Sequence, residues 1–144
     1  MIYISHRGNI NGINPEMENN PEYINNALKE KYNVEIDVWY LDNILYLGHD
    51  KPQYKINHDF LLDIRLWCHA KNYEALVYML QYPPIHCFWH QDDDLTLTSK
   101  NFIWTYPGKD LINGAIAVLP EIKLHKNIEN AGGICSDFIE NYKK

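Results

Sequence analysis

Residues 33–41, NVEIDVWYL, alternate without a break. Val34, Ile36 and Val38 fall on one side of an extended chain, and Glu35, Asp37 and Trp39 on the other. This period of two predicts a strand with an apolar back and a front that carries two carboxylates. The residues before it set the fold class. In NPEYINNALKEKY (20–32), Asn20 is a helix cap, Pro21 suits the first turn, and Ile24, Ala27 and Leu28 form an apolar stripe. Earlier still, IYIS (2–5) is a short β-branched and aromatic run, which predicts a buried strand. Strand, helix and strand in that order predict a parallel α/β arrangement.

Downstream, ILYLGHD (44–50) follows an Asp42-Asn43 turn and reads as a hairpin partner. DFLLDI (59–64) predicts a short helix, and RLWCHAK (65–71) a strand with Trp67, His69 and Lys71 on one face. Asn72 caps NYEALVYMLQY (72–82), whose buried stripe is Ala75, Leu76, Met79 and Leu80, and Pro83-Pro84 ends it. HCFWH, FIWTYP, AIAVLP and GGICSDF are further strand-like runs with little room for helices between them. His6, Asp37, Lys71, His90 and Asp137 gather at the C-terminal ends of these strands, where parallel α/β sheets build their sites. A full eight-fold barrel typically needs ~250 residues. The 144 residues here therefore predict one domain, 1–144, with a reduced (β/α) barrel whose second half has shortened helices or loops. A flavodoxin-like open sheet is the competing architecture.

The net charge of −6 argues against general attraction to nucleic acid or anionic membranes. No apolar run approaches the ~20 residues of a membrane span, so stable membrane insertion is not expected. No basic stretch leads into a long apolar run at the N-terminus, and the expected compartment is the cytoplasm. The three cysteines, Cys68, Cys87 and Cys135, lack CxxC spacing and read as buried free thiols.

Glu35 and Asp37, two residues apart on one strand face, lie roughly 7 Å apart. Inside a sheet such carboxylates repel unless a cation neutralises them, and a hard divalent ion suits their oxygens. On a solvated face they need no ion. His6 and Arg7 close the first strand, and His49 returns from the hairpin. Two histidines near a bound phosphate supply a general base and a general acid. Asp50 either orients an imidazole or caps the following turn.

Four spaced elements, Ser5-His6-Arg7-Gly8, Glu18-Asn19, Glu35-Ile36-Asp37 and His49-Asp50, together resemble the glycerophosphodiester phosphodiesterase family. The resemblance covers residues 1–55 and thins beyond them. It implies a TIM barrel, the fold also of phosphatidylinositol-specific phospholipases C and sphingomyelinase D-like toxins. It further implies His6 and His49 as the acid/base pair, Arg7 on the phosphate, and Glu35 and Asp37 on a divalent metal, Mg²⁺ or Ca²⁺.

On the third strand the family carries Glu-x-Lys, and this chain has His69-Ala70-Lys71. Lys71 matches the phosphate-binding lysine. His69 stands where the third metal ligand belongs, and an imidazole there shifts preference toward Mn²⁺. Alternatively His69 is not a ligand, and a water or an Asp fills the place. Asp137 resembles the family's closing strand aspartate and is expected near the mouth. Trp104 is a candidate wall for the organic part of the substrate or else an ordinary core residue. His90 offers a further imidazole, and Asp92, Asp93 and Asp94 read as a solvated loop.

The expected activity is metal-dependent cleavage of a small phosphodiester. The alternatives are phospholipase D-like or lyase action on a lipid phosphodiester, or phosphate binding without turnover.

Overall fold

The computed structural model describes residues 1–143. The chain runs β1 (Ile2–His6), α1 (Pro21–Lys29), β2 (Asn33–Leu41), β3 (Ile44–Leu47), β4 (Tyr54–Ile56), β5 (Leu66–Ala70), α2 (Tyr73–Leu80), β6 (Cys87–Phe88), β7 (Leu95–Leu97), β8 (Ile103–Thr105), β9 (Ile116–Val118) and β10 (Gly133–Ser136). Short 3-10 turns occupy His58–Leu62, Ile128–Asn130 and Ile139–Tyr142. Asn20 caps α1 by accepting from the Glu22 and Tyr23 amides, and Ile24, Ala27 and Leu28 are buried as the periodicity predicts. Asn72 caps α2 through the Ala75 amide. Leu80, expected in the buried stripe, is 56% exposed, while Ala75 and Met79 are fully buried. The helix stops at Leu80, so its last turn has no continuing face to hold against the sheet.

All ten strands join one mixed sheet. Seven run parallel in the spatial order β6, β5, β2, β1, β10, β9, β8. β7 is antiparallel on β8, and β3 and β4 continue antiparallel from the second half of β2. The sheet curls strongly, because rings from its two wings meet. Trp104 of β8 lies 4.8 Å from Phe88 of β6 and 5.7 Å from Trp67 of β5, centroid to centroid. These rings pack with Ile4, Ile116, Val118 and Cys135 on the concave face. On the convex face, Val34, Ile36 and Val38 meet Ile24, Ala27 and Leu28 of α1 and Ala75 and Met79 of α2. The alternation in 33–41 thus sends its apolar side to the helices and its carboxylates into the concavity.

The expected reduced TIM-barrel-like (β/α) barrel is overturned. The sheet is a curled half-barrel, and among the described residues no ladder joins β6 to β7 or β8. Among the described residues only two short α-helices cover it, both before Gln81. Barrel closure needs strands long enough to tilt and stagger together. Here β6 has two residues and β7, β8 and β9 three each. HCFWH, expected as one strand, yields only Cys87–Phe88. The carbonyls of Trp89 and His90 accept instead from the Thr96 hydroxyl (2.8 Å) and His69 Nε2 (2.9 Å). The flavodoxin-like alternative fails too, since such a sheet carries helices throughout.

The three cysteines are buried and free. His86, buried beside Trp67, contacts Thr98 Oγ1 through Nε2 at 2.7 Å. Thr98 Oγ1 already accepts from the Lys100 and Phe102 amides, so its own proton goes to a neutral His86. Burial, then the Lys100 charge, push His86 down to about 4. The unfolded chain therefore binds a proton that the folded one refuses. Stability from this group is present above pH ~6.5 and is lost as pH falls from there toward about 4. Thermal melts of His86→Gln are expected to fall less steeply than wild type between those limits.

Candidate active site

The first strand ends in a turn that its sequence dictates. Arg7 (φ 55°) and Gly8 (φ 95°) both adopt left-handed backbone, and a Cβ on Gly8 would meet the Tyr23 ring at 2.6 Å. The turn leaves His6 and Arg7 at the mouth of the concavity. His6 Nδ1 lies 2.7 Å from Asp137 Oδ1 and donates to it, because a carboxylate only accepts. Nε2 then faces the cavity, 3.8 Å from Glu35 Oε2. Burial alone would lower the His6 pKa. The hydrogen bond to Asp137 and the Glu35 charge outweigh it and hold the imidazole above its ordinary value. Asn9 Nδ2 also donates to Asp137 Oδ1, at 2.8 Å.

Glu35 and Asp37 of β2 stand beside His69 of β5, since Asp37 pairs with His69 across the parallel ladder. One ligand atom from each of the three lies within 4.8 Å of the others. His69 Nδ1 is 3.3 Å from Asp37 Oδ1 and 3.8 Å from Glu35 Oε1. Its Nε2–H donates to the His90 carbonyl, which turns Nδ1 toward the carboxylates. Burial and the Asp37 charge push the Glu35 carboxyl up. Burial raises Asp37 as well, but His69 and then Arg7 outweigh it and hold this carboxyl well below the usual carboxylate range.

Arg7 reaches both sides of the turn, with Nη1 3.1 Å from Glu18 Oε2 and Nε 3.1 Å from Asp37 Oδ2. Lys71 Nζ lies 3.7 Å from Asp37 Oδ1. His49 comes from the loop after β3, pinned where Trp39 Nε1 donates to the Gly48 carbonyl at 2.6 Å. Its Nδ1 pairs with the exposed Asp50 at 2.7 Å. His6, Arg7, Glu35, His49, His69, Lys71 and Trp104 all line one cavity of about 650 Å³. Trp104 lines the cavity but is 4% exposed and packs in the core on the concave face. Asp92, Asp93 and Asp94 are exposed, as a solvated loop should be.

Several contributors carry no role in the sequence reading. Asn19 clasps Asp37 from both sides: its Nδ2 donates to Oδ2 at 2.9 Å, and its Oδ1 accepts the Asp37 amide at 2.9 Å. The Glu18-Asn19 element of the resemblance contains it without giving it a role, and its backbone is left-handed (φ 62°), a conformation asparagine tolerates. Asn9 and Glu121, which accepts the Asp137 amide at 2.8 Å, left no local signal, because their partner is over a hundred residues away or in another strand end. Chemically the site combines a Glu–Asp–His cluster that could hold a metal ion, two imidazoles and two cationic side chains around one cavity.

Compared with protein-family models, with curated proteins and with solved structures, the chain matches none.

Proposed function

We propose that this protein is a metal-dependent phosphodiesterase acting on a small glycerophosphodiester-like substrate. The observation that carries this reading is the Glu35–Asp37–His69 cluster, of which Glu35 and His69 line a cavity also lined by His6, His49, Arg7 and Lys71. The donor set fits a divalent ion. Glu35 Oε2 and Asp37 Oδ1 are buried with no hydrogen-bond partner. His69 Nδ1 lies 3.3 Å from Asp37 Oδ1 and 3.8 Å from Glu35 Oε1, so one imidazole nitrogen and two carboxylates offer oxygen and nitrogen donors to a single divalent ion. When bound, the ion supplies Lewis-acid stabilisation of charge on a non-bridging phosphate oxygen.

The chain's own groups do the rest. Arg7 and Lys71 hold and orient the phosphate. One of His6 and His49 takes the proton of the attacking water, or of a neighbouring substrate hydroxyl. The new P–O bond forms as the P–O bond to the leaving alcohol breaks, and the other histidine protonates the departing alkoxide. With water the products are a phosphomonoester and an alcohol. With a substrate hydroxyl they are a cyclic phosphate and an alcohol.

The test is product analysis on a panel of glycerophosphodiesters, with chelator and with each added metal. Cleavage that survives chelator unchanged would sink the metal reading, and no cleavage of any diester would sink the activity. Mn²⁺ or Co²⁺ is expected to support turnover at least as well as Mg²⁺, because an imidazole ligand gains affinity along the transition series. His69→Glu is expected to move the preference toward Mg²⁺ or Ca²⁺, read from initial rates across the metals.

A further inference from the structure

The turn after β1 holds a side chain to which the proposed reaction assigns nothing. Asn9 closes that turn, its backbone amide donating to the His6 carbonyl at 2.9 Å, and the residue is fully buried. Its side chain is saturated with partners. Nδ2 donates to Asp137 Oδ1 at 2.8 Å and to Glu18 Oε1 at 3.0 Å. Oδ1 accepts from the Asn14 amide and from the Tyr23 hydroxyl, each at 3.2 Å. The two ends of the side-chain amide cannot be exchanged, because carboxylates only accept and a backbone N–H only donates. Among the described residues no direct hydrogen bond joins Glu18 to Asp137, so Asn9 Nδ2 is their link.

The two carboxylates it links are the ones that hold His6 and Arg7. Asp137 Oδ1 accepts from His6 Nδ1, and Glu18 Oε2 accepts from Arg7 Nη1 at 3.1 Å. We propose that Asn9 is a positioning residue that couples proton transfer to phosphate binding, one amide nitrogen holding both orienting carboxylates so that His6 and Arg7 are aimed as a unit. This rests on the phosphodiesterase reading of the same cavity. General acid–base chemistry and phosphate binding both depend on their groups being held at fixed positions relative to one substrate. Carboxylates brought together repel unless a donor or a cation stands between them, and the two Nδ2 protons serve both. An aspartate of the same shape would add a third carboxylate there, and an alanine would leave both without this donor.

The test reads the two ends separately. With Mg²⁺ present, kcat and KM are measured on a cleaved diester, and inorganic phosphate is titrated calorimetrically into the full chain. Asn9→Ala is expected to lower kcat and to weaken phosphate binding, each by about tenfold, the scale of one lost hydrogen bond to a charged group. Glu18→Ala removes a partner of Arg7, yet it is expected to lower kcat about fivefold as well, through Asn9 and His6. In the Asn9→Ala background Glu18→Ala should cost no further kcat, because the link is already gone. A loss confined to one of the two readouts in Asn9→Ala, or kcat losses that multiply in the double variant, overturns the proposal and leaves the phosphodiesterase reading standing. If wild type neither cleaves a diester nor binds phosphate, that reading falls, and ¹⁵N resonances of the metal-free chain decide the coupling. They decide it also should Asn9→Ala not fold. Glu18→Ala, in which Asn9 is intact, must move the Asn9 Nδ2 and His6 Nδ1 resonances together. A His6 Nδ1 resonance that stays in place overturns the proposal.

Discussion

Glu35→Gln is expected to lower metal-dependent cleavage by at least about 10³-fold, the scale of losing several kcal/mol of charge stabilisation at the phosphate. The same substitution should raise stability when no metal is bound. Glu35 is buried beside Asp37, and both facts push its carboxyl up. The folded, metal-free chain therefore keeps a proton at pH values where the unfolded chain has lost it. The stability this gives is fully present below the unfolded pKa and is lost as pH rises through the folded one. Glutamine removes that dependence without changing the shape of the side chain. Thermal melts in chelator at pH 7 should place Glu35→Gln above wild type, and added Mn²⁺ should raise the melting temperature of wild type only. A variant that melts lower than wild type in chelator, or that keeps its turnover, rejects the assignment of Glu35 as a ligand.

The second large effect belongs to the His6–Asp137 pair. His6→Asn is expected to cost about 10²-fold or more in kcat, a typical loss for a general acid or base. Asp137 is a positioning residue: it accepts His6 Nδ1–H at 2.7 Å and so fixes which nitrogen faces the cavity. Asp137→Asn should lower kcat with little change in KM, since it touches no substrate. The double variant should be no slower than His6→Asn, because the two residues act as one unit. Losses that multiply in the double variant would mean that Asp137 acts apart from His6. A change in KM rather than kcat would make its role one of substrate contact.

Much of the site could be read locally because its residues sit on strands whose period is short. Glu35 and Asp37 share a face by the pleat alone, and the parallel ladder places His69 opposite Asp37. His6 and Arg7 close a strand in an unmistakable turn, and the α1 and α2 caps are set within three residues. What these signals lack is distance. The His6–Asp137 contact spans 131 positions, and the clasp of Asn19 on Asp37 spans 18. Neither leaves a periodic trace.

The sequence by itself determined the α1 and α2 helices, the alternation of β2, and the chemical types gathered at the strand ends. Each follows from propensity, capping or pleat within a dozen residues. The tertiary structure alone decided whether the sheet closes. Barrel closure depends on the tilt and stagger summed over all strands and on the helices outside them, which no short window contains. With β6 cut to two residues and its next two carbonyls taken by side chains, the sheet stays open as a half-barrel. The same break brings the His90 carbonyl to His69 beside the cavity. Long-range hydrogen bonds compete for the same backbone groups that a local strand pattern assumes are free, and here the long-range bonds won.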